Sequence, residues 1–209
     1  MKYLSNLCFV LVLLSLSAPA MGATLLPVKK GGKYGYINQQ GKVVIPFQFD
    51  YGAKFSGGYA AVIIGRKYGF INQKGKFVIN PRFDYGWYFK GGVAKILVGK
   101  KFGYINAGGT VVVKPQFDSA SHEFVSGLAL VKIGGPYGKW GYINNRGKYV
   151  INPQFKRALP FSMGYAAVQK EKKWGYINLK GVYIVRSLFE SARSFSDSMA
   201  AVELNGKWG

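Results

Sequence analysis

The tripeptide Lys-aromatic-Gly occurs six times in this chain, at Lys33-Tyr34-Gly35, Lys67-Tyr68-Gly69, Lys101-Phe102-Gly103, Lys139-Trp140-Gly141, Lys173-Trp174-Gly175 and Lys207-Trp208-Gly209. The spacings are 34, 34, 38, 34 and 34 residues. A fixed period of this size specifies a repeat architecture, in which one small unit is stacked several times. It also argues against an enzyme. Repeats present one surface many times, whereas catalysis needs different residues brought to one point.

Each motif continues as aromatic-Ile-Asn, from Tyr36-Ile37-Asn38 to Tyr176-Ile177-Asn178, with a glycine three residues later at Gly41, Gly75, Gly109, Gly147 and Gly181. A β-branched run such as Val43-Val44-Ile45 follows. Strand, glycine turn, strand is a β-hairpin signal. Next comes Pro-x-Phe-Asp, as in Pro81-Arg82-Phe83-Asp84, where proline marks a corner or sheet edge. A Phe (55, 89, 124, 161, 195) and then Ala-x-Val/Ile complete the unit. Three clear short strands per unit are expected, with a fourth around Pro-x-Phe-Asp, and almost no helix.

Period-2 geometry assigns the faces. Gly35 lies between two aromatics, where a neighbouring strand or ring must approach closely. In Ala-x-Val the middle residue varies from Ala61 to Lys95 to Leu130, so that position is expected to be wet and the Ala/Val face buried. The long interval comes from one extra residue near His122-Glu123 and three at Gly134-Gly135-Pro136, both expected to be loops.

Together these residues resemble the tryptophan–glycine repeat family of bacterial proteins, over about residues 25–209. Units one to three depart from it by carrying Tyr or Phe for Trp, and the last stops at Gly209. The resemblance implies an exported or surface-related β-repeat with no common activity. A looser similarity to aromatic–glycine cell-wall-binding repeats transfers no residue.

The fold class is therefore all-β: tandem antiparallel hairpin or meander repeats, five units and a partial sixth, in an open curved array. The alternative is a closed five-bladed propeller-like ring. Ring closure would leave Ala200 to Gly209 duplicating strands already supplied by Leu26 to Gly35, which favours the open array.

Residues 1–23 read as a secretory signal: Lys2, the apolar run Leu7–Leu16, and Ala18-Pro19-Ala20 with cleavage expected before Met21 or after Gly22. Residues 24–209 then form a single domain. The only cysteine, Cys8, lies in the signal, so the mature chain must be held by its apolar core.

The chemistry of catalysis is sparse. The single His122 lies in an inserted loop beside Glu123. The recurring acids Asp50, Asp84, Asp118 and Glu190 are a full repeat apart, so no metal site is expected, and each reads as a turn cap or a salt bridge to a repeat lysine. No cofactor is expected. Most aromatics read as core, including Trp140, Trp174 and Trp208, while Trp87 with Tyr85 and Tyr88 is the candidate exposed platform. The terminus at Trp208-Gly209 is expected to be an exposed edge.

Charge is the remaining signal, a formal +21 from 29 Lys and Arg against 8 acids. The cations gather at the turn before each aromatic–Gly: Lys33, Arg66, Lys67, Lys100, Lys101, Lys139, Lys170, Lys172 and Lys173. Stacking would align them into a ridge that attracts polyanions. The expectation is a non-catalytic scaffold of the cell envelope, periplasmic or extracellular, that engages an anionic envelope polymer or an acidic protein. Specific nucleic-acid binding is not expected, and peripheral membrane contact is compatible. The alternative is a shape-based protein-interaction module in which the charge is incidental.

Overall fold

The computed structural model describes residues 24–209, so the expected signal peptide, Cys8 and the cleavage site lie outside the described residues. Within them the strands form six antiparallel sheets in chain order. The first holds β1 (Leu26–Lys30), β2 (Lys33–Ile37) and β3 (Val43–Phe49). The second holds β4 (Tyr51–Gly52), β5 (Tyr59–Ile64), β6 (Lys67–Asn72) and β7 (Phe77–Phe83). The third repeats this with β8 (Tyr85–Gly86), β9 (Val93–Val98), β10 (Lys101–Asn106) and β11 (Val111–Phe117). The fourth has β12 (Ser119–Ala120), β13 (Leu128–Ile133), β14 (Lys139–Asn144) and β15 (Tyr149–Phe155). The fifth has β16 (Arg157–Ala158), β17 (Tyr165–Lys170), β18 (Lys173–Asn178) and β19 (Tyr183–Phe189). The sixth has β20 (Ser191–Ala192), β21 (Val202–Leu204) and β22 (Lys207–Trp208). The only helical element among the described residues is the 3-10 turn Gly135–Tyr137, in the expected three-residue insertion.

The fourth strand of a unit is not Pro-x-Phe itself. Pro-x-Phe ends the third strand, and the extra strand is the residue pair after the acid. Phe77–Phe83 pairs with β6, then Tyr85–Gly86 pairs with β9 of the next sheet, and Asp84 alone separates the two halves. One bent strand is thus shared between two sheets. Proline is tolerated because β7 is the edge strand of its own sheet.

The motif glycine explains how the strand bends. On β10, Gly103 sits in the register shift between Phe102 and Tyr104 against β11. A Cβ there would lie 2.5 Å from the Val113 carbonyl oxygen and 2.7 Å from the Pro115 nitrogen. The bulged Val-Lys-Pro backbone occupies the space a side chain would take, which is the close approach read from the sequence. At the hairpin end, the Asn106 Oδ1 accepts the Thr110 amide at 2.9 Å, and Asn72, Asn144 and Asn178 cap their turns the same way.

Both faces of an interior sheet are buried. Ala60, Val62 and Ile71 of the second sheet pack with Tyr36, Ile45 and Phe49 of the first. Ala61, Phe70 and Ile79, from the other face, pack with Phe89, Ala94 and Ile96 of the third. The variable position in Ala-x-Val is therefore not wet: Ala61, Lys95, Leu130 and Ala167 are all at most 5% exposed. Its equivalent in the sixth sheet, Ala201, is exposed, as no sheet covers it among the described residues.

Among the described residues five apolar clusters join the six sheets pairwise, and none joins the first to the last. The array is open. Trp174 is 8% exposed between the fifth and sixth sheets, whereas Trp208 is 49% exposed. The expected exposed edge at Trp208 is present, and the assignment of Trp208 to the core is overturned for the same reason.

Replacing Gly103 by Ala forces the bulge to shift and is expected to cost about 2–3 kcal/mol. Gly58→Ala, where φ is +85° and the space is open, should cost only about 1 kcal/mol. Thermal denaturation of the two variants side by side checks the difference.

Candidate functional site

The repeated acids sit at the joints between sheets. Asp50 takes the Lys33 ammonium on one carboxylate oxygen and the Gly65 amide, 2.9 Å away, on the other. Lys33 opens β2 in the first sheet, and Gly65 lies in the β5–β6 turn of the second. One carboxylate thus ties two sheets together. Lys67–Asp84–Gly99, Lys101–Asp118–Gly135 and Lys173–Glu190–Gly206 repeat the arrangement. The lysine hydrogen bond and the turn amide hold the three Asp carboxyls below their ordinary range, and the Gly206 amide followed by Lys173 does so for Glu190. Both roles read from the sequence, turn cap and lysine partner, are filled by the same residue.

The fourth joint is reversed in charge. Lys156 occupies the acid's place, and Glu171 occupies the place of the glycine in the turn, with φ +53°. Lys156 donates to Glu171 at 3.1 Å. The motif lysine of that unit, Lys139, has no ion-pair partner among the described residues.

The nine cations expected to bind polyanion therefore divide. Lys33, Lys67, Lys101 and Lys173 are engaged in joints. Arg66, Lys100, Lys170 and Lys172 are exposed on hairpin turns, with no acid at ion-pair distance among the described residues, and Lys30 adds to them from the first sheet. Lys139 is half-buried. Six of the eight acids are held by a lysine, so the chain's few negative charges are largely spent within the fold.

The three residues of the candidate aromatic platform lie side by side but are not equally exposed. Tyr85 and Tyr88 are exposed. Trp87 is half-buried, its ring centroid 4.1 Å from that of Tyr85, 5.7 Å from Phe102 and 5.3 Å from His122. Beneath it lies Lys95, whose Nζ is 4.0 Å from the Trp87 ring centroid, 5.0 Å from that of Phe102, and donates to the Ala120 carbonyl at 3.0 Å. Burial pushes its amine down to about 8. Sequence reasoning missed Lys95 because a lysine in a variable strand position reads as solvent-facing. Its signal was that every other unit keeps an apolar residue there. His122 is exposed at its edge, and partial desolvation where its ring meets Trp87, followed by the nearby Lys95 charge, lowers its pKa. Glu123 pairs with Lys90 rather than with His122.

Among the described residues no three His, Cys, Asp or Glu side chains gather as a metal site. Nor is any helix there long and apolar enough to cross a membrane.

The sequence model described as "WG containing repeat" matches five tandem segments, at residues 34–68, 68–102, 102–137, 140–174 and 174–208. No curated protein matches the chain. Among solved structures, Kluyveromyces lactis Hsv2p is similar at 14% identity and a TM-score of 0.49, over 86% of this chain and 67% of that one. Kluyveromyces marxianus Hsv2 is similar at 13% identity and a TM-score of 0.49, over 86% and 65%.

Two outcomes are expected at the joints. The lowered carboxyl values mean that their stabilisation is present above the unfolded carboxylate range and lost as pH falls through the folded values. The melting temperature should therefore hold from neutral pH to about 5 and fall below about 4, with Asp84→Asn blunting the fall. At the reversed joint, Lys156→Asp alone sets two carboxylates together and should lower the melting temperature. The pair Lys156→Asp with Glu171→Gly should restore it, because the freed turn amide and Lys139 can then serve the new carboxylate.

Proposed function

The chain belongs to the WG repeat family, and from the open array that its repeats build we propose that it is a non-catalytic binding scaffold of the cell envelope whose unpaired turn cations engage an anionic polymer. The observation that carries this reading is the division of labour among the cations. At each joint that carries the acid, one lysine is held by it, while Lys30, Arg66, Lys100, Lys170 and Lys172 stand exposed on turn after turn. A fold that needed positive charge only for the joints would have no use for the second set. Exposed on the first, second, third and fifth sheets, these cations sum into a field that attracts polyanions with little chemical selectivity. An export signal at residues 1–23 would deliver the chain to lipopolysaccharide, polyphosphate or an acidic protein. Repeat architecture supports a scaffold rather than a catalyst, because the residues that recur are those of the joints and core.

Duplex DNA serves as a stand-in polyanion whose salt dependence is calibrated. The mature protein should bind it at low salt, with log affinity falling linearly against log salt. Replacing Arg66, Lys100, Lys170 and Lys172 together by Gln should flatten that slope by about 3 to 4 units if all four meet phosphates, at unchanged melting temperature. Lys67→Gln and Lys101→Gln should instead lower the melting temperature. Binding that ignores salt, or a slope unmoved by the quadruple variant, would favour the shape-based interaction module.

A further inference from the structure

In a tandem repeat, a residue that the fold requires recurs from unit to unit. Residues present once, gathered in one place and not paired into a joint need an account beyond the repeat. Four such residues lie around the third sheet, Phe70 against its face toward the second sheet, Lys95 on its face toward the fourth, and Trp87 and Tyr88 beside them. Trp87 stands where other units have Ala53, Ser121, Leu159 and Arg193. Tyr88 follows it where the others have Lys54, His122, Pro160 and Ser194. Lys95 replaces Ala or Leu beneath Trp87. Phe70 replaces the motif tyrosine whose hydroxyl elsewhere ties a sheet to the next, as Tyr36 does to the Ala53 carbonyl and Tyr104 to that of Ser121. Seventeen residues on from Phe70, the Trp87 carbonyl receives no such bond.

Beside these residues a groove of about 390 Å³ opens between segments 51–56 and 85–88. Tyr51, Tyr68, Tyr85, Trp87 and Tyr88 line it, with Lys54. Tyr51, Tyr85 and Tyr88 are 41%, 40% and 45% exposed, so phenol rings and hydroxyls meet solvent together. The volume is at the lower end of the roughly 300–1,000 Å³ common for small-molecule sites.

We propose that this groove is a saccharide site, in which the C–H face of a hexose unit stacks on Tyr85 and Tyr88 while the phenol hydroxyls and the Lys54 ammonium bond its hydroxyl groups. The lining decides the class of ligand. Aromatic cages suit cations, but no acid lines this groove, Lys54 is in its wall, and Lys95 lies 4.0 Å from Trp87. A purely apolar guest would leave the phenol hydroxyls and the lysine without partners. A sugar ring has one apolar face and a rim of groups that donate and accept, which matches rings carrying a donor–acceptor hydroxyl. Lys95 is a positioning residue. It fixes the Trp87 ring from below through the Ala120 carbonyl and does not face the groove.

The test uses cellotetraose, chitotetraose, laminaritetraose and a proline-rich decapeptide, titrated by calorimetry and tryptophan fluorescence in about 0.5 M salt, where contacts of the cationic turns are screened. At least one tetraose is expected to bind saturably. Tyr85→Ala and Tyr88→Ala should each weaken it roughly tenfold, the scale of one aromatic contact; the melting temperature should change little for Tyr88→Ala and fall modestly for Tyr85→Ala, whose ring also packs on Tyr68 and Trp87. Trp87→Phe should remove the fluorescence change. The quadruple Gln variant of the turn cations should bind the sugar like the wild type, so this site and the polyanion ridge fail or succeed separately. No saturable binding of any tetraose up to about 10 mM, unchanged affinity in both Tyr variants, or binding of the peptide alone would overturn the proposal.

Discussion

A single residue separates each sheet of this protein from the next. The strand that closes one sheet turns through Asp50, Asp84, Asp118, Lys156 or Glu190 and opens the following sheet within two residues. So short a link leaves no slack, and the sheets must lie face to face. Everything else follows from that contact. Interior sheets must be apolar on both sides, the side chains between Ala and Val must be small or shielded, and the linking residue must satisfy groups from both neighbours. A carboxylate does this well because its two oxygens can serve an ammonium and an amide at once.

Much of this was legible in the sequence. The period, the hairpin glycines, the close approach at the motif glycine and the two inserted loops all follow from local rules of turn and strand. The acid–lysine pairing was legible too, because both residues recur at constant separation. What local rules could not supply was the second buried face. A strand's period of two separates its faces but does not say whether the outer one meets water or another sheet, and in stacked repeats both are covered. Lys95 was misread for that reason, and the same omission placed Trp208 in a core that needs a further sheet to exist. The short strands such as Tyr85–Gly86 were illegible because two residues carry no periodicity.

The candidate sites divide along the same line. Residues that recur, above all the motif lysines, are absorbed by folding. The exposed cations beside them vary in number and place from turn to turn. The aromatic groove lies beside a junction where a hydroxyl bond between sheets is lost and a tryptophan over a buried lysine is gained. In a protein built from one repeated unit, chemical individuality is itself informative, because the repeat does not explain it.

The reversed joint at Lys156 and Glu171 bears on how such a gene can change. Arrays of this kind lengthen and shorten when similar segments recombine out of step. A crossover that set Asp118 in the place of Lys156 would bring a carboxylate against Glu171, and one that carried Lys156 to another joint would bring an ammonium against a glycine amide. Both products lose a bond and gain a repulsion. The inverted pair therefore ties the fourth and fifth sheets to each other: a residue moved into either position from another joint loses its partner.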